Sequence, residues 1–157
     1  EVIPTPQRVC EIVPCLIYSR LAAVRAYGTI IQNATIPQLH ALRIEFKKLR
    51  YALEYFVEVL GPETRQVIGL IKKMQDHLGD LHDADVACQI LNNYLEKWDS
   101  GQIGVQLTER QNPEPLVNYL AFQHAERHRL MVTFPEVWAL FEQPETMRKV
   151  ALAVAAL

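Results

Sequence analysis

Leu42, Phe46, Leu49, Leu53, Phe56 and Leu60 recur at steps of three and four residues. That period draws one apolar stripe along a helix. Thr35 stands where an N-cap is needed, Pro37 falls in the first turn, and Gly61-Pro62 supplies the stop. Pro62 then opens a third helix that carries Val67, Ile68, Ile71 and Met74 to Leu78, with Gly79 as its C-terminal residue. Asp80 or Asp83 caps a fourth, bearing Val86, Ala87, Ile90, Leu91 and Leu95.

Upstream, residues 1–6 contain Pro4 and Pro6 and read as an extended lead-in. A first helix runs from about Gln7, or from Pro14, to near Gln32. The pattern leaves open whether Pro14 opens that helix or kinks it. Residues 99–113 are rich in glycine and polar side chains and read as a linker. A fifth helix follows over about 114–130, and Pro135 and Pro144 divide the remainder into short helices near 135–142 and 145–156. The expected fold is therefore all-α: an antiparallel helical bundle of about six or seven helices. It forms one domain over 1–157, with a four-helix core at 7–98, the linker, and C-terminal helices at 114–157. No internal repeat stands out.

Half of the 157 residues are hydrophobic, enough for one domain with a real core. The 22% of charged residues and the modest Pro and Gly content argue against general disorder. A net charge of −2 does not mark an anion-binding protein, but its distribution changes the picture. From Arg43 to Lys73 seven Lys/Arg face four Glu, whereas from Asp76 to Asp99 six acids accompany Lys97 alone. Such asymmetry focuses a local field despite a near-neutral total. Three irregularly spaced cysteines, Cys10, Cys15 and Cys88, make a poor disulfide framework, so a reducing cytoplasmic compartment is expected. No apolar run reaches bilayer-spanning length, and VALAVAAL at 150–157 is far too short. No leader with a charged region and a cleavage site opens the chain; it does not begin with Met, which leaves room for upstream sequence.

Within the basic block, His40, Arg43, Lys47, Arg50 and Glu54 follow one another at steps of 3, 4, 3 and 4. At about 100° per residue they occupy an arc of roughly 80° beside the apolar stripe. Arginine offers phosphate a planar fork of donors, lysine a compact charge. A linear polyanion can engage a row of such cations repeatedly. His40 can donate to an oxyanion, and Glu54 offsets part of the repulsion along the row. Lys48, Lys72, Lys73, Arg127 and Arg129 extend the surface if the fold brings them to it. Spacing alone does not separate this track from an ordinary solvated face with pairs such as Arg50 and Glu54.

Three other chemistries compete. A divalent metal needs three or more converging ligands. His124 and His128 share a helix face, and Asp76, His77, Asp80, His82 and Asp83 cluster around one turn, but the spacing does not guarantee convergence. His82-Asp83 is also the dipeptide of HD-type metal-dependent phosphohydrolases, a weak signal. No glycine-rich phosphate loop, nucleophile elbow or zincin motif accompanies it. The third is a helical scaffold, in which Trp98, Trp138, Phe141 and the apolar tail serve only packing or docking. No cofactor and no metal site are expected, and catalysis is not.

The stretches LHALRIEFKKLRYALEYF (39–56) and MQDHLGDLHDADVA (74–87) resemble two signatures of the CHAD family, the conserved-histidine α-helical domains. The first fits His-x-x-Arg-x-x-x-Lys-x-x-Arg-Tyr-x-x-Glu through His40, Arg43, Lys47, Arg50, Tyr51 and Glu54. The second fits Gln-Asp-x-Leu-Gly-Asp-x-x-Asp through Gln75, Asp76, Leu78, Gly79, Asp80 and Asp83. A looser likeness continues through 124–141. The resemblance implies an all-α fold with a basic cavity that binds inorganic polyphosphate without catalysis. By it Arg43, Lys47 and Arg50 are phosphate ligands with His40 beside them, and Tyr51, Glu54, Gln75, Asp76, Asp80 and Asp83 are supporting residues. It also implies association with CYTH-type triphosphatase domains or polyphosphate granules. Members usually carry two facing repeats, whereas here only the second, C-terminal type is recognisable, and Arg20 and Arg25 on the first helix do not recreate the other. A homodimer or a missing N-terminal repeat would complete the cavity. Nucleic acid is expected to bind only nonspecifically, given the overall acidity.

Overall fold

The computed structural model describes residues 8–157; the expected lead-in at 1–6 lies outside them. Among the described residues there is no strand. The helices are α1 (Val9–Arg25), α2 (Ile36–Tyr55), α3 (Thr64–Gly101), α4 (Glu114–Phe141) and α5 (Pro144–Val154). Short 3-10 turns cover Ala26–Thr29, Ile31–Asn33 and Leu107–Glu109. The all-α expectation holds, but with five α-helices, not six or seven.

Two expected breaks do not occur. Gly79, Asp80 and Asp83 neither end nor cap a helix, because α3 runs unbroken for 38 residues. A glycine inside a helix costs only about 1 kcal/mol. The buried positions Met74, Leu78, Leu81, Ala84 and Cys88 keep helical phase across it, so continuing the helix buries more than stopping would. Pro135 likewise lies inside α4. There Leu130, Phe134, Trp138 and Phe141 form one buried stripe, whose burial outweighs the lost backbone hydrogen bond. Pro14 sits inside α1, neither opening nor ending it, and α1 stops at Arg25 instead of running to Gln32.

α2 starts where expected. The Thr35 hydroxyl accepts from the Gln38 N–H at 3.4 Å, and the Gln38 amide oxygen accepts from the Thr35 N–H at 2.8 Å, a reciprocal capping box. It ends five residues before Leu60, for a tertiary reason. The N–H of buried Gly61 donates to the carbonyl of Ala153 in α5 at 2.8 Å, and the Thr64 hydroxyl donates to the Gly61 carbonyl at 2.7 Å. These bonds hold the chain in a tight turn between α2 and α3.

The described residues form two compact units, the first reaching Leu78 and including Phe134–Leu157, the second Gly79–Thr133. The first is a helical bundle. Its core joins Val13, Ile17, Leu21 and Val24 of α1 to Leu42, Phe46, Leu49 and Leu53 of α2. Val67, Ile71 and Met74 of α3 and an aromatic group on α4 complete it. Phe46 meets Trp138 and Phe141 edge-on, with ring centroids 6.0 and 5.1 Å apart. The apolar tail packs by one face: Val150, Ala153 and Val154 are buried, whereas Ala151 and Leu152 are exposed. In the second unit Leu81, Ala84, Cys88 and Leu130 are buried. Gly104 in the connection before α4 has φ +85°, a backbone conformation that suits glycine. No helix among the described residues is long and apolar enough to cross a membrane.

Candidate functional site

The buried stripe Leu39, Leu42, Phe46, Leu49 and Leu53 sets the rotation of α2. With that stripe inward, His40, Arg43, Lys47, Arg50 and Glu54 lie along one flank of the helix, about 100° round from the core. His40 is exposed and the other four are partly buried. From Arg43 to Arg50 the backbone rises roughly 10 Å, so the three cations are staggered along the flank.

Their neutralisation is uneven. No carboxylate among the described residues lies within ion-pair distance of Arg43 or Lys47. Arg50 Nε is 3.8 Å from Glu54 Oε1, and Lys72 Nζ of α3 is 3.8 Å from the same oxygen. Both distances exceed a hydrogen bond. The Nε–H groups of Arg43 and Arg50 are buried and have no acceptor. A buried guanidinium donor without a partner is costly, so a turn of either side chain that brought its Nε–H to an oxyanion would gain an acceptor. The Arg50 guanidinium also lies over the Tyr51 ring, 5.1 Å from its centroid.

The remaining expected cations stand in other surroundings. Lys48 is exposed and pairs with Glu45 at 2.6 Å. Lys73 and Lys149 line a cleft of about 250 Å³ with Gln66, Leu140 and Thr146. In the second unit Arg127 bonds Asp85 at 2.8 Å and contacts His124 Nδ1 at 3.0 Å. Arg129 forks onto both oxygens of Glu126, whose hydrogen bond and then its charge raise the Arg129 pKa. Both arginines are therefore internally neutralised.

The expected supporting residues divide. Gln75 is partly buried and its Oε1 lacks a partner. Asp76 is exposed on α3. Asp80 and Asp83, with Glu126, Tyr119 and Phe122, line a cleft of about 400 Å³ in the second unit. Tyr119 and Phe122 stack there, with centroids 6.4 Å apart. That acidic and aromatic cleft escaped the sequence reading, although two i,i+3 pairs, Asp80/Asp83 and Tyr119/Phe122, were its signal. Among the described residues no three His, Cys, Asp or Glu side chains are grouped to hold a metal ion, so neither histidine cluster assembles a ligand set.

A family model for the CHAD domain matches residues 6–92, more than half of the chain. The chain belongs to the CHAD family. The matched span takes in α1, α2 and most of α3, and with them both CHAD signatures, the row His40–Glu54 and the segment Gln75–Asp83. The looser likeness at 124–141 falls outside it. No curated protein and no solved structure matches the chain. The fold around the CHAD row therefore rests on its own geometry, and α2 is the element that carries that row.

Proposed function

We propose that this CHAD domain binds inorganic polyphosphate, or a similar linear polyanion, along the flank of α2 and does no chemistry on it. One observation carries the reading. Arg43 and Lys47 lack carboxylate partners among the described residues, and the buried Nε–H groups of Arg43 and Arg50 lack acceptors. A row of cations with unused donors favours a ligand with many equally spaced oxyanions. Orthophosphate satisfies one step of the row, whereas a polymer satisfies several after a single loss of translational freedom.

Polyphosphate is the proposed partner, in a reducing cytoplasm or at polyphosphate granules, with nucleic acid a nonspecific competitor. A second copy of the chain or an N-terminal repeat would close the open side of the row, and a CYTH-type triphosphatase domain is a fitting associate. The test is titration of long-chain polyphosphate into the parent and into the triple variant Arg43→Ala, Lys47→Ala, Arg50→Ala. The parent should bind with an affinity that falls with salt. By analogy with single-stranded nucleic acid, three neutralised phosphates give a log–log slope of about −2. The triple variant should lose binding and keep its helical circular dichroism. A triple variant that binds like the parent would place the polymer elsewhere.

A further inference from the structure

Glu54 is out of character with the rest of the row. It follows Arg50 by one helical turn on the same flank, yet carries the opposite charge. One of its oxygens, Oε1, stands 3.8 Å from Arg50 Nε on α2 and 3.8 Å from Lys72 Nζ on α3. It thus lies between cations supplied by two helices, within ion-pair range of both and hydrogen-bonded to neither. Arg50 Nε stays buried without an acceptor, so this carboxylate does not satisfy the donor that it neighbours. The pairing is loose on the Lys72 side as well, where the lysine side chain is 53% exposed. Among the described residues no other carboxylate reaches Arg43, Lys47, Arg50 or Lys72.

From this we infer that Glu54 is a built-in competitor for the polyanion, holding the place between Arg50 and Lys72 that a phosphate group would take. The inference rests on the polyanion reading and adds a direction to the row. The Arg43–Lys47 end is open to any oxyanion. The Arg50–Lys72 end is guarded, and opens to an anion at high local concentration. A polymer anchored at Arg43 and Lys47 meets that condition, because its next phosphates are tethered nearby. Glu54 then swings away from the two cations in a minority of the complexes, and only in those does Lys72 enter the contact. An exposed pair of this length contributes little, so the guard lowers affinity without abolishing it. It also keeps α2 and α3 from carrying unopposed like charge when no polymer is bound.

The test is a cycle on the whole chain, read by titration of long-chain polyphosphate at low salt. Glu54→Gln keeps the side-chain shape and removes the charge; Glu54→Ala removes the carboxylate without adding an amide donor. Both should tighten binding, by about threefold to tenfold. Both should also steepen the log–log salt slope by about 0.7, the share of one further phosphate contact. Lys72→Ala should cost little in the parent and should cancel most of the gain in the Glu54→Gln background. If both Glu54 variants keep the parent's melting temperature and bind no more tightly, the carboxylate is a strut or a bystander and the inference fails. The same result follows if Lys72→Ala costs equally in both backgrounds. A parent that binds no polyphosphate at all would instead sink the underlying reading, so the two failures are distinct.

Discussion

Phe46 of α2 stands edge-on to Phe141 of α4, their ring centroids 5.1 Å apart and their planes at 82°. Both rings are fully buried. Phe46 lies between Arg43 and Lys47 in sequence, so the ring that anchors α2 in the core also fixes which flank the cations occupy. Edge-to-face pairs add about 0.5–1.5 kcal/mol beyond the area that they bury. Phe46→Ala should therefore destabilise the chain by about 3–5 kcal/mol in urea unfolding, and Phe46→Leu by distinctly less. A Phe46→Leu variant as stable as the parent would mean that ring geometry contributes nothing there.

Gly61 makes a second, narrower prediction. A Cβ placed on it would stand 3.1 Å from the Ala153 Cα and 3.2 Å from the Leu152 carbonyl oxygen, both backbone atoms of α5. Backbone cannot turn aside as a long side chain can, and the Gly61 N–H already bonds the Ala153 carbonyl at 2.8 Å. Gly61→Ala should lower stability by about 1–3 kcal/mol, read as an earlier urea midpoint. An unchanged midpoint would show that α5 can shift away from the turn without loss.

How much of this was legible in the sequence follows from which forces are local. The Thr35 cap and the stripe through Leu53 depend on neighbours within a turn, and both were readable. So was the basic row, because helical period and residue type suffice to place it. The C-terminal end of α2 was not readable. The chain there is held by a hydrogen bond from Gly61 to Ala153, 92 positions away in the sequence. Gly79 and Pro135 misled for a related reason. Each is a local breaker, and each is overridden by a stripe of buried side chains, Met74 to Cys88 and Leu130 to Phe141, that keeps helical phase across it. Pairing was the least visible layer. Nothing near Lys72 in sequence announces Glu54, and nothing near Arg127 announces Asp85.

Gly69 differs from Gly61 in its surroundings and should differ in the sign of its response. It is exposed within α3, and a Cβ added there meets nothing within 4 Å. Glycine in a helix loses more backbone entropy on folding than alanine does. Gly69→Ala should therefore raise stability by about 0.5–1 kcal/mol, seen as a higher urea midpoint with unchanged slope. A clear loss of stability would indicate that this face of α3 is covered in solution by a second molecule.

Orthophosphate can meet one or two cations of the row, whereas long-chain polyphosphate can meet Arg43, Lys47 and Arg50 together. A ligand that binds the folded chain alone stabilises it in proportion to the logarithm of its concentration over Kd, about 2.7 kcal/mol at a hundredfold excess over Kd. For a chain of this size that corresponds to a rise of roughly 5–10 °C in the melting temperature. At equal total phosphate and matched ionic strength, the polymer should give such a shift and orthophosphate much less. The triple variant Arg43→Ala, Lys47→Ala, Arg50→Ala should respond to neither. Equal shifts from monomer and polymer in the parent would mean that the cations act singly, as general screening charges, and that the staggered row confers no advantage on a linear ligand.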